Sequence, residues 1–279
     1  MTVSPQWLTK APTFPAVGDI SRTAPTIVPL GYDRRWLYPT LVRQDIGDAL
    51  SIQDFSQSVR TVTGTVERSP TASTDKAAVD VTVALVNEAV KEQAVVLQGV
   101  PLAILESVDG MRGYLDAEGA YQVQKSLDSH VFAQIVAAAP PFGNTGSGLV
   151  AQLRNAISAM RAEGANPDIA VLNATDAASL DLTADAGGYV FPTRDAGTSS
   201  PLWGLRVIER TSAAGTEPPY VLDSRMLGVL YIGNMRFDAD PFSGAGGSNF
   251  RRNLVDLRVE LKALYHVRNA KGARRVAAT

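Results

Sequence analysis

The sequence predicts an α+β fold, and three segments carry that prediction. Residues 111–138 have helical periodicity, residues 255–268 alternate between apolar and polar side chains, and residues 58–85 have the pattern of a β-hairpin. Between residues 149 and 232, a helix–strand–helix order followed by three more short strands adds a compact unit of the same class. With 279 residues and 45% hydrophobic content, the chain is long enough to bury a sizeable core.

Residues 1–57 are predicted to form an extended N-terminal arm. Six prolines in the first 50 residues preclude a long helix or a central strand there: Pro5, Pro12, Pro15, Pro25, Pro29 and Pro39. The same segment contains Trp7, Trp36 and Tyr38 and is too apolar for a solvated tail. We expect the arm to lie on its own subunit or on a neighbouring one; a locally packed lead-in is equally consistent with the composition.

The hairpin at 58–85 consists of two strands joined by a polar tip. On the return strand Val79, Val81, Val83 and Leu85 share one face, while the outgoing strand carries Thr and Val on both faces. A two-stranded ribbon with so few bulky apolar residues is marginally stable alone. The pattern therefore predicts a projecting loop that needs a partner.

A long helix is predicted over 111–138, with an apolar stripe ended by Pro140 and Pro141. The stripe consists of Ala120, Val123, Leu127, Val131 and Ile135. At about 1.5 Å per residue this helix would be roughly 40 Å long. A second amphipathic helix ends at Gly164, and a short buried strand at 169–172 is followed by a brief helix capped by Asn173 or Thr175.

The strongest local signal is the alternation near the C-terminus. The apolar positions are Val255, Leu257, Val259, Leu261, Ala263, Tyr265 and Val267. They predict a half-buried strand of ~13 residues, roughly 43 Å long, well above the usual ~5–6 residues. A helix and a strand of matched length predict a flat, elongated platform.

The residues that would carry catalysis or bind a cofactor are missing. A net charge of −2 does not favour a dedicated nucleic-acid binder, and the chain has no cysteine and only two histidines, His130 and His266. The glycines at 143–148 lack the Gly-Lys-Ser/Thr ending of a phosphate loop. Asp238 and Asp240 are interpreted as solvated carboxylates. We expect no catalytic, cofactor or metal site, no signal peptide and no membrane span.

The order of these segments resembles tailed-bacteriophage major capsid proteins of the Hong Kong 97 type. NPDIAVLNATDAASL at 166–180 resembles that family's strand-then-helix step, and PLWGLRVIERTSAAGTEPPYVLDSRMLGVLYIG at 201–233 resembles a following pair of strands. SNFRRNLVDLRVELKALYHVRNAKGARRV at 248–276 resembles its closing strand with terminal basic residues. The resemblance implies an N-arm at 1–57, an E-loop at 58–90, a peripheral domain at 91–147 and 250–279, and an axial domain at 148–249.

The resemblance also implies a structural subunit of a Caudoviricetes virion, not an enzyme. Copies would self-assemble as hexamers and pentamers into an icosahedral shell around double-stranded DNA, which they would contact weakly and without sequence specificity. Trp7, Trp36, Tyr38 and Lys76 become candidates for contacts between subunits. The charged scaffolding region that begins many relatives is missing ahead of the arm, so we expect a separate scaffolding protein or its prior removal. Portal and decoration proteins are further expected partners, and assembly is expected in the host cytoplasm.

Some relatives cross-link an E-loop lysine to an asparagine of a neighbouring subunit. Lys76 and Asn269 come nearest to that pair here, but a lone lysine in a polar tip is ordinarily a solvated residue, and that interpretation is favoured. An encapsulin-like compartment enclosing a cargo enzyme is the main alternative function. A soluble α+β enzyme and a minor head or decoration protein are the alternatives from other classes.

Overall fold

A computed structural model shows the arrangement of most of the chain. The residues that it describes are 35–64, 66–67, 76–107, 110–141, 148–185, 188–189, 202–210, 217–244 and 247–276. Trp7 and the rest of residues 1–34 lie outside them, as do residues 143–147 of the glycine-rich segment.

Strands and helices alternate irregularly along the described residues. The strands are β1 (Arg43–Asp45), β2 (Ser51–Thr63), β3 (Ala78–Ala89), β4 (Lys91–Pro101), β5 (Ile169–Asn173), β6 (Ala184–Asp185), β7 (Gly188–Tyr189), β8 (Arg206–Arg210), β9 (Tyr220–Leu222), β10 (Gly228–Ile232), β11 (Arg236–Asp240), β12 (Leu254–Val267) and β13 (Ala273–Arg275). The α-helices are α1 (Leu102–Ser107), α2 (Met111–Ala138), α3 (Leu149–Ala162), α4 (Ala174–Asp181), α5 (Ser224–Leu227) and α6 (Ser248–Arg251). Short 3-10 helices lie at Tyr38–Thr40 and Ala270–Gly272.

The long strand β12 lies at the centre of the larger sheet. One edge of β12 pairs antiparallel with β4, and β11 and β10 pair antiparallel with successive parts of it. The short β1 joins β10 in parallel at the end of this sheet. The 28-residue α2 packs along β12, so the predicted long helix and long strand do lie together.

The polar face predicted for β12 is only partly exposed to solvent. Arg258 is exposed, but Glu260, Leu264 and His266 are buried. The hairpin base covers Leu264 and His266 at this end of the sheet. The first half of β12 is therefore buried mainly on one face, whereas its second half is buried on both faces. The apolar stripe of α2 also differs at one turn: Gly119 is buried, whereas the predicted Ala120 is half-buried.

A smaller four-stranded sheet has the order β13-β9-β5-β8. Its strand β5 is buried on both faces, as predicted for 169–172: Ile169 and Val171 join the core around α2, while Ala170 and Leu172 pack in a second core with α3 and α4. Asn173 caps α4, because its side chain accepts a hydrogen bond from the Asp176 N–H. The C-terminal β13 returns to this sheet and ties the end of the chain to it.

The hairpin and the larger sheet both extend beyond their predicted limits. β2 begins at Ser51, inside the segment predicted as arm, and β3 continues to Ala89. β10 and β11 pair with β12, although they lie in the segment predicted as axial domain. The division into peripheral and axial domains stays a prediction. Long-range strand pairing, which local sequence patterns do not report, decides where each segment belongs.

Replacement of Gly119 tests the close packing of α2 on β12. An added Cβ would lie 2.6 Å from Val259 Cγ2, and the β-branched Val259 has little freedom to move away. We expect Gly119→Ala to lower the free energy of unfolding by about 1–3 kcal/mol despite alanine's higher helix propensity. Gly113→Ala in the same helix is the matched control, because no atom lies within 4 Å of its added Cβ. Urea denaturation that shows equal stabilisation of both variants would contradict this packing.

Candidate assembly interface

The root of the N-terminal arm is anchored in the core of its own subunit. Leu37, Tyr38 and Leu41 are buried in the cluster around α2. Trp36 is half-buried and stacks on Tyr38, with ring centroids 5.6 Å apart. The first described residues of the chain are therefore fixed beside α2.

A buried carboxylate on α2 holds this root by its backbone. Asp128 Oδ1 accepts hydrogen bonds from the Leu37 N–H at 2.7 Å and the Tyr38 N–H at 3.0 Å. Asp128 Oδ2 lies 3.1 Å from Arg210 Nη1, and the Arg210 guanidinium lies over the Phe132 ring. Burial raises the pKa of Asp128, although Arg210 and the two N–H groups favour its charged form. Asp128 thus joins the arm, the helix and β8.

A second carboxylate anchors the base of the hairpin. Asp54 Oδ2 accepts hydrogen bonds from the Tyr231 hydroxyl and from Arg268 Nε, both at 2.8 Å. Arg268 Nη2 also donates to the Tyr231 hydroxyl at 3.2 Å. Partial burial acts to raise the pKa of Asp54, but these hydrogen bonds and that from the Phe55 N–H outweigh it and lower the pKa. β2 is therefore tied to β10 and to the end of β12.

The return strand of the hairpin has its own anchor. His266 Nδ1 lies 2.9 Å from Glu88 Oε1, and the Val90 N–H donates to the Leu50 carbonyl at 3.0 Å. Under these polar contacts lies a small apolar cluster that joins the hairpin base to β10 and β12: Val229, Tyr231 and Leu264, with Ile46, Ile52 and Val90 packed against them. The base is a packed, hydrogen-bonded joint, so the direction in which the hairpin projects is fixed.

Beyond its base, the hairpin exposes an apolar face. We define the apolar hairpin face as Phe55, Val62, Val79, Val81, Val83 and Leu85, each at least 45% exposed. Phe55 pairs with Leu85, and Val62 pairs with Val79. In a regular strand Phe55 and Val62 would point to opposite faces, because they are an odd number of residues apart. A bulge between Gln57 and Val59 shifts the register by one residue and places both on the same face. This explains why the apolar residues of the outgoing strand show no simple alternation in the sequence.

The residues that the sequence predicts as contact candidates differ in how exposed they are. Tyr38 is buried in its own subunit, Trp36 is half-buried against it, and Lys76 is exposed near the hairpin tip. Asn269 is half-buried and its side chain accepts a hydrogen bond from the Lys271 N–H at 3.0 Å. The contacts of these residues with other subunits, and a Lys76–Asn269 cross-link, stay predictions.

Sequence reasoning missed the two carboxylates that hold the assembly elements. Asp128 could have been found from the sequence, because it lies between Leu127 and Val131 on the apolar side of the predicted helix. Burial of an unpaired carboxylate there would be costly, which indicates a buried partner. The role of Asp54 could not be predicted from the sequence, because its partners Tyr231 and Arg268 are 177 and 214 residues away.

Metal-binding side chains are not clustered among the described residues. These residues contain no group of three or more His, Cys, Asp or Glu side chains that could hold a metal ion. Asp238 is paired with Arg258 at 2.8 Å, and Asp240 accepts a hydrogen bond from the Phe242 N–H. Among the helices of the described chain, none has the length and apolar character needed to cross a membrane.

Comparison with known proteins decides the family. Residues 100–274, more than half of the chain, match the model of the phage capsid family. The chain belongs to the phage capsid family. It is a major capsid protein with the fold of tailed-phage capsid subunits. The matched region contains α2, the central strands of both sheets, the arm anchor Asp128, and Arg268, which donates to the hairpin anchor Asp54. No curated protein sequence matches the chain.

Solved structures resemble the capsid protein along nearly its whole length. A structure from Microbacterium phage Oxtober96 has a TM-score of 0.67 at 15% identity, covering 90% of this chain and 93% of that chain. One from Mycobacterium phage Adephagia has a TM-score of 0.63 at 16% identity, covering 99% and 96%. The capsid of a native GTA particle has a TM-score of 0.65 at 14% identity, covering 91% and 93%. At such low identity these structures show a shared fold.

Removal of the Asp128 carboxylate tests the arm anchor. Asp128→Ala leaves two buried N–H groups and the largely buried Arg210 without their acceptor. We expect it to lower the free energy of unfolding by about 3–5 kcal/mol. The control is Asp116→Ala, whose carboxylate makes a long, solvent-accessible ion pair of 3.8 Å with Arg112 on the same helix, worth less than about 0.5 kcal/mol. Similar urea midpoints for the two variants would argue against the anchor.

The pH dependence of stability tests the hairpin anchor. The pKa of Asp54 is lower in the folded chain than in the unfolded chain, so its ionisation stabilises the fold fully above about pH 4. That contribution is lost as the pH falls through the lowered pKa. We expect Asp54→Asn to be less stable than wild type by a constant amount between about pH 5 and 7, and the difference to shrink in more acidic buffer. A difference that does not change with pH would show that ionised Asp54 is not what holds the hairpin.

Proposed function

We propose that the capsid protein self-assembles as hexamers and pentamers into an icosahedral shell that encloses a double-stranded DNA genome. The observation that carries this proposal is the apolar hairpin face, which the described part of its own subunit leaves uncovered. A projecting ribbon with six exposed apolar side chains gains a stable environment only when a partner covers it. In a shell of identical subunits that partner is the adjacent copy.

The rigid base makes the hairpin suitable for this role. Asp54, Glu88 and the apolar cluster beneath them hold the ribbon in one direction before assembly. Less conformational entropy is then lost when a neighbour binds it. Each buried valine or leucine of the apolar hairpin face contributes up to about 1.5–3 kcal/mol. One such contact is modest, but a closed shell repeats it in every subunit.

The N-terminal arm supplies a second contact in this proposal. Its root is fixed by Asp128, so residues ahead of Arg35 start from a defined position on the subunit. Trp7 and the exposed part of Trp36 would contact a neighbouring subunit. Tyr38, which is buried in its own subunit, would anchor the arm from within. Lys76, exposed near the hairpin tip, would lie over the adjacent copy.

The other proposed partners follow from the capsid role. A separate scaffolding protein would guide assembly in the host cytoplasm, and portal and decoration proteins would complete the head. The net charge of −2 supports weak, non-specific contact with the packaged DNA. We propose a peripheral domain around α2 and β12 and an axial domain around the smaller sheet, and we propose that the protein has no enzymatic activity. The phage capsid match favours a phage head over an encapsulin-like compartment.

Deletion of the hairpin tests the proposal. The purified protein, alone or with its scaffolding protein, is expected to form closed shells that electron microscopy resolves. Deletion of residues 62–82 should leave a cooperatively folding subunit that forms no stable shells, because none of the described residues in this range belongs to a buried core cluster.

The matched control changes the opposite side of the ribbon. Ala84→Ser alters a residue whose neighbours Val83 and Leu85 point to the other face, and it should assemble as wild type does. Wild-type protein that stays monomeric under every assembly condition would refute the shell function. An unfolded deletion product would refute the claim that the ribbon is dispensable for the fold.

A further inference from the structure

Four exposed cations near the smaller sheet make no ion pair with any described residue. We define them as the basic surface: Arg154 and Arg161 on α3, Arg225 on α5, and Lys271 in the 3-10 helix at Ala270–Gly272. Arg154 and Arg161 are seven residues apart, so they share one face of α3 and lie about 10 Å apart along its axis. The residue between them on that face, Ser158, is also exposed. These cations are available to a negatively charged partner.

Two contacts bring the parts of the basic surface together at the end of α3. The Asn166 N–H donates to Asp223 Oδ2 at 2.7 Å, which holds the start of α5 beside the turn that follows α3. Arg274 pairs with Glu163 and holds the segment that carries Lys271 beside the same turn. Both carboxylates are engaged within the subunit, because Arg274 neutralises Glu163 and the buried Asp223 caps α5. The four unpaired cations therefore keep this surface positive, although the whole chain has a net charge of −2.

An aromatic ring supports Arg154. The Arg154 guanidinium lies 5.7 Å from the centroid of the Trp203 ring, close enough for a cation–π attraction. Trp203 has a φ of 54° and Gly204 a φ of 85°, in a turn closed by a hydrogen bond of 3.0 Å from the Leu205 N–H to the Leu202 carbonyl. Asparagine or glycine adopts this left-handed backbone more readily than tryptophan does. The strained turn positions the ring beneath Arg154, and strain of this kind is often found at binding sites.

The basic surface differs from the hairpin because exposed apolar side chains are missing from it. None of the exposed large apolar side chains of the described chain belongs to α3, to α5 or to residues 268–276. The centre of a protein–protein interface is usually apolar or aromatic. Binding to a DNA backbone, in contrast, depends mainly on cations and polar groups. The composition of this surface therefore favours DNA over an acidic protein as its partner.

We propose that the basic surface binds the phosphate backbone of double-stranded DNA without sequence specificity and faces the interior of the shell. The inference rests on the proposed shell function, which supplies the DNA, and it names the part of the subunit that the DNA contacts. Four cations displace only a few counterions, so one subunit binds DNA weakly and in a salt-dependent manner. Packaged DNA meets the same surface on every subunit of a shell, so these weak contacts act together.

DNA binding by the purified, unassembled subunit tests this surface. Fluorescence anisotropy of a short labelled duplex, measured at several low salt concentrations, gives the slope of log K against log salt. Four phosphate contacts predict a slope of about −3 to −4, and Arg161→Gln/Lys271→Gln should reduce it by about half. The matched control is Arg206→Gln/Lys125→Gln, which removes two exposed cations, one on β8 at the opposite edge of the smaller sheet and one on α2. The control should keep the wild-type slope, and both variants should unfold at the wild-type temperature because all four side chains are exposed.

Three results would overturn this DNA site. They are wild-type subunits that bind no DNA at low salt, a control variant that loses as much slope as the test variant, and tighter binding of polyglutamate than of DNA, which would indicate an acidic protein partner. Because the measurement uses unassembled subunits, a wild-type protein that binds DNA as expected but forms no shells would refute the shell function and leave this site intact.

The orientation of the basic surface is tested in assembled particles. Lys271 should react with an acetylating reagent in empty shells and be protected in shells filled with DNA, as measured by mass spectrometry of its peptide. Equal reactivity of Lys271 in filled and empty shells would contradict a position against the genome.

Discussion

The packing of α2 along β12 is the constraint on which the other parts of the subunit depend. The two elements are matched in length, and Gly119 lets the helix approach Val259 so closely that no side chain fits between them. Every neighbouring element is placed relative to this pair: β4 and β11 extend the sheet at its edges, β10 continues it toward the hairpin base, and the smaller sheet packs against the same core as α2. A long, thin platform results.

Each assembly element is attached to one member of this pair through a carboxylate. The arm root is held by Asp128 on α2, and the hairpin base is held by Asp54 through Arg268, directly after β12. Both carboxylates accept hydrogen bonds from groups far away in the sequence, so neither anchor forms until the platform has folded. Regions that must meet other subunits are therefore oriented by the folded core and not by their own weak local structure.

Local patterns in the sequence predicted the elements better than their surroundings. The α2 boundaries and the double burial of β5 follow from periodicity and from flanking proline, and both agree with the structure. The burial of His266 could not be predicted, because Glu88 of the hairpin base, which contacts it, lies 178 positions earlier in the sequence. The side chains of β2 that share a face could not be predicted from odd and even positions either, because the bulge shifts the alternation by one residue.

The bulge in β2 has two physical consequences that favour assembly over aggregation. A ribbon of two strands has two unpaired edges, which are templates for uncontrolled strand addition. A bulge bends and twists the ribbon, so a straight partner strand fits its edge poorly. The same bulge aligns Phe55 and Val62 on one face, and that face remains available to a complementary surface. The ribbon thus discourages pairing through its backbone while it keeps its side chains exposed for a specific neighbour.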